Sequence, residues 1–445
     1  MTAHPADSAL FGHLWGTPEV HRLFSDKGRV QRWLEILAAL AEAQADVGLV
    51  PRHAAETIRA YADVELVDIN RVGELNRAAG HSTLGLIRVL REILPDDAAE
   101  WVYYGATVQD LTDSWTALVI KDVADIIAND LVHIRKTVIG LAKKHRNTPM
   151  CGRTHGQPGL PITFGYKAAV WASELGRHLD RIAEGRPRWQ VAQLGGALGT
   201  MEFWGDSAIE LLTAYAKRLG LQPPDIPWLT ARDRVAEFVT DLAMITATLG
   251  KIGNEIYQLQ RPEIGEVGEP FTEGQVGSIT MPHKRNPELS EHLCTLASIV
   301  RAQAGTAVEA MVTEHERDGR AWKTEWVTLP EACLGAATAL KIASKLLDGL
   351  QVNTGKMAAN LAARGGYLQS EPVLRALSDK LGKHTAHEVV YAATMRGIEA
   401  GQDFRTALRN DSRLDIIDDS TLDALLEPAA ALGACGAFVD RVVDD

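Results

Sequence analysis

The stretch GQVGSITMPHKRNPELSE, residues 274–291, sets a glycine-flanked serine, Ser278, just ahead of three basic side chains, His283, Lys284 and Arg285. A serine acts as a base only as its oxyanion. Backbone N–H groups, a helix N-terminus and a lysine such as Lys284 are what stabilise that anion. Asn286 and Pro287 read as the cap and first residue of a following helix, with Glu288 at the positive end of its macrodipole. That structural use leaves Ser278 and Lys284 unexplained. The enclosing segment, Arg261 to Asn286, is punctuated by Gly265, Gly268, Gly274 and Gly277 and is too long for a simple connector, which is the pattern of a lid.

Two further loops carry reactive groups. In CGRTHGQPGLPITFG, residues 151–165, Thr154 and His155 precede a backbone stiffened by Gly156, Pro158, Gly159 and Pro161. A histidine there either exchanges a proton near neutral pH or serves as a structural hydrogen-bonding group; both uses stay open. In YYGATVQDLTDSW, residues 103–115, Thr107, Gln109, Asp110 and Thr112 stand ahead of a long helical pattern. They suit helix capping, and equally an anion cradle of hydroxyl and backbone donors.

The elements that must hold these loops are helices. Apolar residues recur at three- and four-residue steps over Leu111–Asn147, Thr163–Gly185, Thr230–Gln260, Pro287–Asp318 and Leu329–Leu350, each run bounded by Gly, Pro or an Asx/Ser cluster. Five such helices predict an all-α bundle, because helices this long must bury an apolar stripe against neighbours. The first 110 or so residues read as shorter helices broken by Gly16, Gly28, the Gly48–Pro51 turn, Gly80 and Pro95, and the tail after Asn360 as short helices again.

Composition narrows the function. At 445 residues, 46% of them hydrophobic, the chain has enough apolar material for two or three packed units. A net charge of -12 argues against a general nucleic-acid surface, while leaving room for a local cationic pocket. Cys151, Cys294, Cys333 and Cys435 are scattered without a CxxC pair, so neither a disulfide framework nor a thiolate zinc cluster is expected, and a cytoplasmic setting is. The start, MTAHPADSAL, has no signal-peptide pattern, and no apolar run reaches the roughly 20 residues of a membrane span. The paired histidines of HTAH, 384–387, have no evident third ligand, and GGALGT lacks the strand and helix of a dinucleotide turn. No metal, cofactor, nucleic acid or membrane partner is expected.

Together and in this order, the three loops resemble the signature regions of the fumarase/aspartase superfamily of lyases. GSITMPHKRNP is similar to that superfamily's GSSxMPxKxNP motif, and the resemblance spans most of the chain. QLGGALGT (193–200), TARDRVAEF (230–238), EVGEPF (266–271) and EHERDGRAWKTEWVTLPE (314–331) resemble the adenylosuccinate lyase and 3-carboxymuconate cycloisomerase branch. The resemblance implies a three-domain fold divided at 1–110, 111–358 and 359–445. It also implies a homotetramer with a twenty-helix core, whose active sites combine loops from three subunits around a small dicarboxylate. By position, Ser278 matches the catalytic base, His155 the general acid or proton relay, and Glu291 its carboxylate partner. Lys284 and Asn286 match substrate-carboxylate ligands, Thr107 and Thr154 hydroxyl donors, and His81 a second active-site histidine.

This sequence also departs from that pattern. Val108 replaces a serine of the usual TSxD, Ala231 stands where adenylosuccinate lyases carry a substrate-contacting glutamine, and GRAWKTEW lacks their nucleotide-holding SSxxR-like pattern. Trp322 and Trp326 are similar to the cycloisomerase branch, whose bacterial members commonly have tryptophan where this chain has His155. The expected activity is anti β-elimination from a substituted succinate or aspartate with a small leaving group attached through nitrogen, to release fumarate or a close relative. The alternatives are 3-carboxy-cis,cis-muconate cycloisomerase, adenylosuccinate lyase, and a catalytically inactive structural tetramer.

Overall fold

The structure, a computed structural model, describes residues 4–271, 274 and 277–444; Thr272, Glu273, Gln275 and Val276 of the serine-bearing segment lie outside the described residues. The chain is all-α. Among the described residues, strands are confined to two antiparallel pairs, Pro149–Thr154 with Gln157–Thr163 and Val267–Gly268 with Gln351–Val352.

The five long helices are Val108–Lys144, Phe164–Trp189, Asp233–Gln260, Glu288–Glu309 and Gly319–Asp348. Three lie close to their expected ranges. The fourth stops at Glu309 instead of Asp318, and the fifth begins at Gly319, ahead of Leu329, running straight through Pro330. Pro330 forfeits the N–H that would bond to the Trp326 carbonyl, at a cost of about 3 kcal/mol. The buried stripe Ala321, Trp322, Glu325, Leu329, Ala332, Cys333, Ala336, Ala337 and Leu340 continues across it at helical spacing. At about 1.5–3 kcal/mol for each large apolar side chain buried, that stripe outweighs the lost bond. Gly28 does not break a helix either. It sits in the first turn of Asp26–Asp46, where an added Cβ would lie 2.0 Å from the Arg22 carbonyl oxygen, so close packing on the preceding turn requires glycine.

The chain divides into two compact units. The first comprises Met1–Asp130, His178–Leu249 and Thr295–Lys341. Its unusual feature is the buried polar start of the Val108–Lys144 helix, where Gln109, Asp110, Thr112, Asp113, Ser114 and Thr116 are all buried. Buried polar groups require partners, and Gln109, Asp110, Thr112, Asp113 and Ser114 have them. The Ser114 hydroxyl donates to the Gln193 carbonyl (2.8 Å) and accepts from the Tyr215 hydroxyl (3.0 Å). Arg232 forms a bidentate pair with Asp113 (2.7 and 3.0 Å), and its Nε donates to Glu325 at 2.8 Å. Burial works against the Arg232 cation, but Asp113 and Glu325 more than offset it and hold the guanidinium protonated. Burial pushes the Glu325 carboxyl up against the pull of Arg232.

The second unit comprises Leu131–Arg177, Gly250–Cys294 and Ile342–Asp445. Its short C-terminal helices surround a core that includes Val373, Leu377, Val389, Phe404, Leu408 and Leu422.

Removing the shared cation tests the ionic centre of the first unit. Arg232→Met should strand two buried carboxylates and cost about 3–5 kcal/mol, measured as a lower urea midpoint; an unchanged midpoint would show that the triad does not hold this unit together.

Candidate active site

The residues singled out by type and spacing fall into three structural groups, two in the second unit and one in the first. Thr154 and His155 stand at the tip of the Pro149–Thr163 hairpin, where Thr154 pairs with Gln157 across a two-residue turn made by His155 and Gly156. Both turn residues have positive φ, 52° and 75°, as the tightest right-twisting hairpin turns require. His155 is therefore held, exposed, at the apex in a conformation that non-glycine residues rarely adopt. The hairpin is tied down by its neighbour Arg153, whose guanidinium donates to both oxygens of Glu266 (2.9 and 2.8 Å). The Glu266 side chain is fully buried and also accepts from Asn360 Nδ2 at 2.8 Å.

Three residues beyond Glu266, Glu269 does for the Glu288–Glu309 helix what Asn286 was expected to do. Its carboxylate accepts the N–H groups of Leu289 (3.1 Å) and Ser290 (2.8 Å), capping the positive helix end with a full negative charge. Asn286 is used elsewhere, its Nδ2 donating to the Gly277 carbonyl at 2.9 Å and closing the serine loop on itself. Closure brings the backbone so near that a Cβ on Gly277 would lie 2.5 Å from the Lys284 carbonyl oxygen, so only glycine fits there. Within the closed loop Ser278 does have a local partner. Its Oγ accepts the Met281 N–H at 3.0 Å, the kind of backbone donor that stabilises an oxyanion.

Lys284, Asn286 and Glu291 line one cavity of about 800 Å³, together with Tyr257, Glu269 and His283 among others. Gly277 also lines it, whereas Ser278, Thr154 and His155 are not among the lining residues. Arg285 stacks over the Phe271 ring, 4.3 Å from its centroid, so this cation is used within the loop. Ile279 is 94% exposed, an apolar side chain at the outer edge of the loop.

The third group lies in the first unit. Thr107 begins the Val108–Lys144 helix, its N–H donating to Asp110 Oδ2 at 2.9 Å in a capping arrangement. Asp110 also accepts from the N–H groups of Gly195 (2.7 Å) and Gly196 (3.0 Å), which fastens QLGGALGT to the helix start. Burial pushes the Asp110 carboxyl up to about 6 against these donors. The Thr107 Oγ1 accepts from Arg317 Nη1 at 2.9 Å, and Arg317 Nε reaches Gln109 Oε1 at 3.3 Å. The Gln109 amide in turn donates to Asp113 (3.0 Å) and to the Leu229 carbonyl (2.6 Å), so Arg317 is positioned through the buried ionic centre. His81 caps the Leu84–Ile93 helix, Nδ1 accepting the N–H groups of Thr83 and Leu84, both at 3.2 Å. Two backbone donors on Nδ1 place the proton of a neutral ring on Nε2.

Residue-type reasoning passed over Arg317 and Tyr103. Arg317 lies within EHERDGRAW, a stretch whose sequence signals only a family likeness. Tyr103 contacts the Thr107 side chain, and burial followed by the nearby Asp110 charge pushes its phenol above its usual range. Among the described residues, the non-glycine residues with positive φ are Tyr103, His155, Met201 and His315. Three fall inside the motif-bearing stretches and Met201 directly follows one. Backbone strain of this kind collects at functional loops.

Comparison with known proteins adds the context. Residues 15–302 match the family model described as Lyase, and residues 366–442 the one described as Adenylosuccinate lyase C-terminus. The chain is 39% identical over 444 residues to the N-acetyl-S-(2-succino)cysteine lyase of Dickeya dadantii (strain 3937), covering 100% of this chain and 98% of that one. It is 38% identical to the 3-carboxy-cis,cis-muconate cycloisomerase of Pseudomonas aeruginosa, over 100% of this chain and 97% of that one. The crystal structure of the 3-carboxy-cis,cis-muconate lactonizing enzyme from Pseudomonas putida superposes with a TM-score of 0.92 at 35% identity, covering 98% of each chain. Fold and matches together define an enzyme of the lyase class. The chain belongs to the fumarase/aspartase superfamily, in the branch that holds adenylosuccinate lyases and carboxymuconate cycloisomerases.

The Arg153–Glu266 pair is the contact on which the hairpin group depends. Glu266→Ala should destabilise the protein by about 3 kcal/mol by leaving the guanidinium without its partner, seen as a fall in Tm; an unshifted Tm would mean the hairpin is anchored by other contacts.

Proposed function

We propose that this enzyme cleaves a heteroatom-substituted succinate by anti β-elimination, releasing fumarate and a small protonated leaving group. The observation that carries the reading is the serine loop, in which Ser278 Oγ already receives a backbone N–H from Met281 and is followed by Lys284 and Asn286. Ser278 as its alkoxide takes the proton from the carbon beside the distal carboxylate. The electron pair left behind moves into that carboxylate, where Lys284, Asn286 and backbone N–H groups are the donors suited to the added charge. The pair then forms the carbon–carbon double bond as the bond to the heteroatom breaks. His155, with Glu291 as its partner, supplies the proton to the departing atom. Thr107, Thr154, His81 and Arg317 are assigned to holding the substrate.

These groups belong to separate loops, and we infer a cytoplasmic homotetramer in which neighbouring subunits complete each site. Relatives of this superfamily are generally tetramers acting on small dicarboxylates. For the leaving atom, the Dickeya relative and its counterpart from Enterococcus italicus, also 39% identical, are named for a succinyl thioether. Sulfur therefore comes before nitrogen as the first substrate to test. A second reading, cycloisomerisation of a carboxymuconate, is favoured by the edge-to-face pair Trp322 and Trp326, 4.8 Å apart, and by the 38% identity to the Pseudomonas aeruginosa enzyme.

Incubation with N-acetyl-S-(2-succino)cysteine, N-succinyl amines, adenylosuccinate and 3-carboxymuconate, with fumarate followed by ultraviolet absorbance, decides among these. Fumarate from the thioether is the expected result; lactone from carboxymuconate without fumarate from any other compound would give preference to the second reading. Ser278→Ala should lower kcat by about 10²–10⁴ with little change in Tm, and near-normal turnover would remove Ser278 from the role of base.

A further inference from the structure

Arg317 is a half-buried cation without an ion pair among the described residues. Two acids close to it in sequence, Glu314 and Asp318, are taken up by Arg320 instead, at 3.1 and 2.8 Å. Arg317 bonds to uncharged acceptors: Nη1 to the Thr107 hydroxyl at 2.9 Å and the Ala197 carbonyl at 3.4 Å, and Nε to Gln109 Oε1 at 3.3 Å. A guanidinium has five N–H donors, and these bonds occupy the one on Nε and the pair on Nη1. The pair on Nη2 has no acceptor among the described residues, and that nitrogen is open to solvent.

The Gln109 amide behind this guanidinium is buried and can sit in only one orientation. Its Nε2 donates to the Asp113 carboxylate (3.0 Å) and to the Leu229 carbonyl (2.6 Å), two groups that accept. Turned over, the amide would set its oxygen against those oxygens and its NH2 against a guanidinium that can only donate. Oε1 is therefore committed to Arg317. Asp113 is fixed in turn by Arg232, through bonds of 2.7 and 3.0 Å, and Arg232 by Glu325 at 2.8 Å. Order thus passes outward from a buried ionic triad to a solvent-facing cation through a single side-chain amide.

We propose that Gln109 is a positioning residue, which aims Arg317 so that the two free N–H bonds of Nη2 receive one carboxylate of a small dicarboxylate. A carboxylate suits an unpaired guanidinium because it brings the missing charge and accepts at both oxygens. Holding the other edge of the fork in advance removes an ordering cost that the ligand would otherwise meet. Gln109 itself is too deeply buried to touch that ligand and acts through Arg317. The proposal rests on the assignment of Arg317 to holding the substrate and adds the residue that sets its direction.

Titration calorimetry of the full-length protein with succinate, a dicarboxylate without a leaving group, tests this as a double-mutant cycle. Arg317→Met should raise Kd about tenfold or more through loss of a charge-assisted contact. Gln109→Met should raise Kd about fivefold in the unsubstituted protein and add nothing in the Arg317→Met background, a pattern that general loosening of the fold would not give. Arg317→Lys should bind nearly as weakly as Arg317→Met, because an ammonium keeps the charge without the fork that Gln109 and Thr107 hold. Absence of saturable succinate binding, or an unchanged Kd in Arg317→Met, would remove the substrate-holding role of Arg317 and this proposal with it. With that role intact, a Gln109→Met effect that is absent, or equal in both backgrounds, would overturn the positioning by Gln109 alone. If Gln109→Met does not fold, Arg317→Lys decides the matter, since undiminished affinity there would show that charge suffices without alignment.

Discussion

The buried carboxylate of Glu266 organises the second unit. It receives both arms of the Arg153 guanidinium and the Asn360 amide, while its own backbone N–H donates to the Leu259 carbonyl at 2.9 Å and its carbonyl accepts from the Asn353 N–H at 2.9 Å. One residue thus ties the hairpin, the end of the Asp233–Gln260 helix and the start of the C-terminal helices to a common point. Removing a fully buried carboxylate from water is expensive, and only this nearly complete set of charge-assisted bonds makes it tolerable. Three residues on, Glu269 uses the same chemistry on the N-terminus of the Glu288–Glu309 helix. The short segment EVGEPF therefore positions two of the candidate loops without donating a reactive group itself.

The first unit solves a comparable problem with a buried polar helix start. Asp110 gathers the N–H groups of Thr107, Gly195 and Gly196, and Asp113 shares Arg232 with Glu325. An apolar core of equal volume would cost less to bury. The polar version supplies directional contacts, and Gln109 shows their use: its amide group faces the ionic centre and its oxygen faces Arg317. A guanidinium aligned in this way has little conformational freedom left to lose on meeting an anion. The strained backbones of Tyr103, Met201 and His315 lie in the segments around this cluster, where surrounding contacts hold them in place.

Rigid helices and conditional loops divide the work. The helices bury continuous stripes and can absorb even an internal proline. The candidate reactive groups sit on loops: His155 on a two-residue turn, and Ser278 in a loop closed by Asn286 and by the glycine at 277. Loops of this kind open more readily than helix interiors.

The all-α class, the five long helices and the superfamily were legible in the sequence, because helical periodicity and motif spacing are local properties that tertiary contacts rarely reverse. The candidate residues were legible as types for the same reason, Ser278 and Lys284 by their loop and His155 by its setting. Boundaries and partners were not. Pro330 marks a helix start on propensity alone, and only the buried stripe on both sides of it shows that the helix continues. Asn286 is a good cap by type, yet Glu269 takes that position because a carboxylate distant in sequence is a stronger acceptor at the positive helix end. The place of Arg317 on Thr107 and Gln109 joins residues some two hundred positions apart. Local pattern therefore determined which elements form and which groups can react, while folding decided which acceptor satisfies each donor, since that depends on distances the sequence does not contain.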